Sequence, residues 1–169
     1  MKRRSFRVAQ LLLFLMALAG ISSCGPVSDS DTEKRIDGTW ETTITEYEDG
    51  VTMETTEKLT YDASDHKMHC EIRCDMTNPM HMHFVTVTYE GTWSASKSKI
   101  IGEIDKQTID FTFNPLLDYS DKSEFKEEIM KEFQNANFLD GGEIINITSD
   151  KLKIRDEIDD KVYVYKRMD

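Results

Sequence analysis

From Trp40 onward apolar and polar residues alternate in steps of two, the period of a strand with one buried face. "GTWETTITEYE" (38–48) runs into Asp49-Gly50, a tight-hairpin signal, and "VTMETTEKLTY" (51–61) returns. The alternation resumes in "HKMHCEIRCDMTNPMHMH" (66–83), "HFVTVTYEGTWSAS" (83–96), "KIIGEID" (99–105) and "QTIDFTF" (107–113). It closes with "EIINITS" (143–149), "KLKIRDEI" (151–158) and "KVYVYKR" (161–167). Short polar turns separate several of these runs, and no strand–helix alternation suggests a parallel sheet. The pattern predicts an all-β fold of eight or nine sequential antiparallel strands, which hide their edges most simply by curling into an up-and-down barrel.

One segment breaks the period. In "SDKSEFKEEIMKEFQNANF" (120–138), Phe125, Ile129 and Phe133 recur every four residues with Met130 beside them, which predicts one short helix with an apolar face. Ser120 or Asp121 caps its start, Glu124 lies three residues after Asp121, and Glu127 and Lys131 form a favourable i, i+4 pair. The apolar face is read as a plug for an open barrel end, with a partner protein as the alternative occupant.

All four histidines, two of the three cysteines and four of the nine methionines fall within residues 66–83. Proline at 79 marks a turn, so the segment reads as a hairpin around Thr77-Asn78-Pro79-Met80. A four-residue turn pairs Met76 with His81, Cys74 with His83 and Cys70 with Val87. Cys74, Met76, His81 and His83 would then cluster inside, near one mouth. Facing residues are ~5 Å apart, and thiolate, thioether and imidazole suit Cu(I) or Zn(II). The plainer reading makes the hairpin structural, with Cys and Met as apolar fillers. A Cys70–Cys74 disulfide is disfavoured, because residues four apart in a strand are ~13 Å apart and disulfide reach is ~7 Å. The inward-facing residues Ile72, Val85, Val87, Tyr89, Ile109, Phe111 and Phe113 are candidates to line a site for a small apolar ligand.

The first 23 residues read differently. Lys2, Arg3, Arg4 and Arg7 precede an apolar run, Leu11 to Ala19, too short to span a bilayer; this is a secretory signal. Ile21-Ser22-Ser23-Cys24 resembles a bacterial lipoprotein lipobox. That resemblance implies cleavage before Cys24, acylation of Cys24 and a lasting hold on the bilayer. Residues 24–35, polar and acidic, read as a flexible tether. Gly25 after the cysteine fits outer-membrane delivery, and Asp29, Asp31 and Glu33 loosely resemble the surface-export signals of Bacteroidetes lipoproteins. Periplasmic or surface exposure stays open.

The full chain carries a net charge of −11, from 21 basic and 32 acidic residues. All four charges before Cys24 are positive, so the mature chain carries 17 basic and 32 acidic residues, −15. Such a surface repels nucleic acid and anionic lipid headgroups. No Gly-x-Ser-x-Gly elbow, His-Glu-x-x-His or phosphate-binding glycine loop is present, and the chain reads as a non-enzyme. Asp156-Glu157 and Asp159-Asp160 read as a solvated turn, with a weak calcium site as the alternative. Asn146-Ile147-Thr148 matches the eukaryotic glycosylation triplet, which has no meaning in a bacterial lipoprotein.

Gly38-Thr39-Trp40, opening the first strand, resembles the lipocalin Gly-x-Trp motif. "SDKLKIRDEIDDKVYVYKR" (149–167) resembles the final hairpin of small lipocalin-like (calycin-type) lipoproteins of Bacteroidetes. The resemblance spans residues 36–169 and implies a lipocalin-like barrel domain there. It implies that Trp40 closes one barrel end beneath a basic residue of the last strand, Arg167, with Lys166 as the alternative. Two features depart from the pattern: the helix precedes the last three strands, and a second Gly-x-Trp, Gly91-Thr92-Trp93, ends a middle strand. The expected function is a membrane-anchored lipoprotein binding a small apolar ligand. The alternatives are an envelope interaction or inhibitor protein with a filled barrel, and a soft-metal module.

Overall fold

The structure, a computed structural model, describes residues 29–48, 50–77, 80–117, 119–135, 139–156 and 160–168. The leader, Cys24, residues 24–28 of the expected tether, turn residues Asn78 and Pro79, and Glu157 and Asp159 lie outside the described residues. So do the side chains of Ser120, Asp121 and Phe133.

Eight antiparallel strands form a closed ring: β1 (Gly38–Glu48), β2 (Val51–Asp62), β3 (Lys67–Thr77), β4 (His81–Ala95), β5 (Lys99–Phe113), β6 (Leu139–Ile147), β7 (Lys151–Arg155) and β8 (Val162–Met168). Each pairs with the next, and β8 returns to β1 through Thr39↔Met168, Trp40↔Arg167 and Glu41↔Lys166. The ring leaves no end strand exposed, so neither terminal strand offers a free ladder. Alternation points Leu59, Tyr61, Met68, Cys70, Ile72, Val85, Val87 and Tyr89 inward, where all are buried. Gly50 turns the first hairpin with φ +78°, a conformation glycine adopts without Cβ strain.

The eight-or-nine ambiguity is settled at β5. "KIIGEID" and "QTIDFTF" are one strand interrupted by a register shift opposite Thr88–Glu90. The Thr108 hydroxyl staples the bulge, accepting from Glu90 N at 2.8 Å and donating to Asp105 O at 2.7 Å. Among the described residues β6 pairs with β5 only over Lys99–Glu103, so the remaining two thirds of β5 lacks that neighbour. Helix α2 (Tyr119–Asn135) packs there. Its Phe125 and Ile129 are fully buried, and Phe125 meets Phe84 and Phe113 edge-on at 5.4 and 5.8 Å. The expected plug is therefore a wall-filling helix beside the mouth.

A second helix replaces much of the expected tether: Ser30–Ile36 form α1. Asp29 caps it, accepting from Asp31 N at 3.2 Å and the Thr32 hydroxyl at 3.1 Å. The correction has a visible cause. Thr32, Glu33 and Ile36 face the barrel and are buried, and Glu33 accepts from Ala95 N while Asp29 N donates to Ala95 O. Seven residues are too few for a stable isolated helix; the barrel end supplies the rest.

Candidate functional site

The two ends of the barrel differ. The end where β1 begins and β8 finishes is shut. Trp40 is fully buried and donates its indole N–H to Ile36 O at 2.6 Å. The Arg167 guanidinium lies 4.2 Å from the Trp40 ring centroid. It also donates to Arg35 O and Asp37 O, each at 2.6 Å, and to Ser149 O at 2.9 Å. One side chain thus ties α1, β1 and the β6–β7 turn together. Gly38, at φ +113°, leaves room for it: a Cβ there would stand 2.7 Å from Arg167 Nη1. Arg35 adds a hydrogen bond to Ile147 O. The second Gly-x-Trp serves the same end. Trp93 packs on Tyr61 with centroids 4.8 Å apart and donates to Asp62 O at 3.0 Å.

The middle of the barrel is filled. Ile72, Val85 and Val87 have no exposed surface and Tyr89 has 1 %, so these four expected lining residues pack on one another and border no open space. The layer also holds polar groups that alternation alone did not single out. Glu57 and Thr55 are fully buried. Tyr165 donates its hydroxyl to Glu57 Oε2 at 2.6 Å, and the Cys70 thiol approaches Glu57 Oε1 at 3.9 Å. A buried carboxyl group is tolerated only with such partners. Glu57 shares the inward parity of Leu59 and Tyr61, which is the signal that could have revealed it.

The histidine-rich hairpin does not assemble the expected soft-metal cluster. Thr77 pairs with His81, so the turn is one residue tighter than expected, and a bulge follows between Cys74 and Asp75. Cys74 then faces Val85, not His83, and Cys70 faces Tyr89, not Val87. Phe84 is the extra residue, buried against Phe125 of α2. A three-residue turn followed by a bulge is a common hairpin solution, and here it turns His81 and His83 outward. Cys74 stays inside with its thiol 3.5 Å from the Thr55 hydroxyl. Burial pushes that thiol up to about 12, so at neutral pH it is not the thiolate a soft metal needs. Met76 pairs with Met82. Neither Cys70 nor Cys74 is in a disulfide. Among the described residues, no three His, Cys, Asp or Glu side chains are grouped to hold a metal ion.

The outward histidines instead surround a carboxylate. His83 Nδ1 lies 3.0 Å from Asp75 Oδ1, Arg73 Nε 2.9 Å from Oδ2 and His81 Nε2 3.9 Å from Oδ2. Burial works to raise the Asp75 carboxyl, but the hydrogen bonds and charges of Arg73 and His83 outweigh it and hold the group below the usual carboxylate range. His83 Nε2 meets the Thr86 hydroxyl at 3.3 Å.

The other end carries apolar side chains that the core does not fully bury. Ile44, Met53, Met76, Ile109, Phe111 and Phe113 are only partly buried and pack onto the core from above. Phe111 and Phe113 stack at 6.0 Å, and Lys126 of α2 sits 5.5 Å from the Phe111 centroid. Three large apolar side chains are exposed at this end: Tyr47 (75 % exposed) near the end of β1, and Met80 (79 %) and Leu116 (85 %) on the β3–β4 and β5–α2 connections. Of the expected lining residues, only Ile109, Phe111 and Phe113 border it. Two open grooves of about 940 and 520 Å3 lie instead on the outer surface. The larger is lined by residues of β2 to β5, among them Thr60, Met68, His69, Glu103 and Ile104. No known protein family and no curated protein matches this chain.

Proposed function

We propose that this chain is a lipid-anchored envelope lipoprotein of the lipocalin-like kind, held in the outer membrane through Cys24, which takes a small apolar ligand at its mouth. The observation that carries this is the half-buried inward group Ile44, Met53, Met76, Ile109, Phe111 and Phe113 above a packed core. Half-buried apolar side chains gathered at one barrel end gain free energy when a ligand covers them, at ~25 cal/mol per Å2. The lipocalin likeness rests on the closed eight-strand ring and on Arg167 over the Trp40 that follows Gly38.

Native mass spectrometry of protein purified from its host, with fluorescent fatty-acid displacement, tests the reading. Phe113→Ala removes apolar contact worth ~1.5–3 kcal/mol and should weaken binding roughly tenfold or more. Val87→Ala, in the packed middle, should leave affinity unchanged. No co-purified ligand and no displacement would sink the ligand reading. A second reading would then stand, favoured by the burial of Ile72, Val85, Val87 and Tyr89: a filled barrel acting as an envelope interaction or inhibitor protein.

A further inference from the structure

The apolar crown and the path of the amino terminus lie at opposite ends of the barrel. Asp29 is bonded to Ala95, the last residue of β4, at the closed end. Tyr47 is the last residue but one of β1, and Met80 and Leu116 stand on the β3–β4 and β5–α2 connections; antiparallel succession places all three at the mouth end. β4 is 15 residues long. At ~3.3 Å per residue and a tilt of about 40°, the mouth stands about 35 Å from Asp29 along the barrel axis. Cys24 lies five residues before Asp29. Fully extended, that chain reaches at most about 18 Å.

We propose that the mouth docks on a neutral lipid surface other than the leaflet that anchors the chain, and exchanges its apolar ligand there. This rests on the lipidation and mouth-binding readings above. With Cys24 acylated, a mouth-down molecule would hold Asp29 about 35 Å above the leaflet, beyond the reach of its own tether. The closed end therefore faces the home membrane, and the crown faces away from it. A lipid surface suits the crown better than a protein does. Three unlike side chains, one at a strand end and two on separate connections, need no shape-matched partner to enter a lipid interface, and tyrosine favours that boundary. A ligand leaving the mouth into lipid also never crosses water. The net charge of −15 restricts the surface to neutral or zwitterionic headgroups.

The test uses acylated protein purified from membranes and reconstituted in phosphatidylcholine vesicles. Leu116→Cys carries an environment-sensitive fluorophore; Cys70 and Cys74 are buried and stay unlabelled. Nitroxide-quencher lipids are placed either in the home vesicles or in added protein-free vesicles. The expected result is quenching only by the added vesicles. The triple variant Tyr47→Asp, Met80→Asp, Leu116→Asp should bind added vesicles at least tenfold more weakly while keeping its thermal midpoint, since all three residues are exposed. Quenching by home lipids, or by neither, overturns the proposal while leaving the anchor intact. Protein that fails to enter the home vesicles overturns the anchor reading, and this proposal with it. If docking occurs but fatty-acid displacement fails, the ligand reading falls, and with it the exchange.

Discussion

Cys74 shows how one residue's role follows from its surroundings. Its type and its neighbours suggested a metal ligand; the Thr55 contact and complete enclosure make it a packed thiol. An unfolded cysteine titrates near ~8.5, and burial pushes Cys74 up to about 12. Below pH ~8.5 both states keep the proton and stability is complete. As pH rises from there toward about 12, the unfolded state loses the proton first, so stability should fall by up to ~1.4 kcal/mol per pH unit. Urea titrations between pH 8 and 10.5 should show a decline that is shallower in Cys74→Ala. Thiol labelling at pH 8 should miss Cys74 until the protein unfolds. Rapid labelling of the native protein would refute the enclosure.

At the scale of elements, α2 tests how the mouth is built. Its surface ion pair, Lys131 to Glu127 at 2.9 Å, is exposed and worth only tenths of a kcal/mol. The helix is held by the buried Phe125 and Ile129, beside the part of β5 that β6 does not reach. Phe125→Ala should cost about 3 kcal/mol by leaving a cavity among Phe84, Phe113 and the helix. Unfolding in urea gives the cost. Far-UV circular dichroism should show helix lost with the β signal retained; a loss of stability below ~1 kcal/mol would mean the helix rests loosely on the barrel. The helix was legible because its apolar residues repeat every four positions. Its place beside β5 was not, because that depends on where β6 stops pairing.

For the whole molecule, ring closure depends on β8 meeting β1 over three residue pairs, and Arg167 sits in one of them. Arg167→Ala removes a cation–π contact and three hydrogen bonds that join α1, β1 and the β6–β7 turn. The expected cost is about 2–4 kcal/mol by equilibrium unfolding. Arg167→Lys should recover less than half, since an ammonium cannot fork to several carbonyls from one plane. An alanine variant within ~0.5 kcal/mol of the parent would show that the clasp adds nothing to closure.

Strand alternation, the first hairpin and the helix period were readable from the chain, because each depends on residues close in sequence or on a period that burial enforces; the Trp40–Arg167 contact, between residues far apart in the chain, was expected only from the resemblance of Gly38-Thr39-Trp40 to the lipocalin motif. Alternation likewise identified which residues of β3 face inward. What only the tertiary structure decided was register and depth. One tighter turn and one extra residue, Phe84, moved His81 and His83 to the outer face, since a shift of one residue exchanges the two sides of a strand. Packing across the barrel decided that Ile72, Val85, Val87 and Tyr89 fill it, whereas Ile109, Phe111 and Phe113 border its mouth. Docking on the barrel end made α1 a helix, because seven residues lack the cooperativity to fold alone and gain it from the surface they bury.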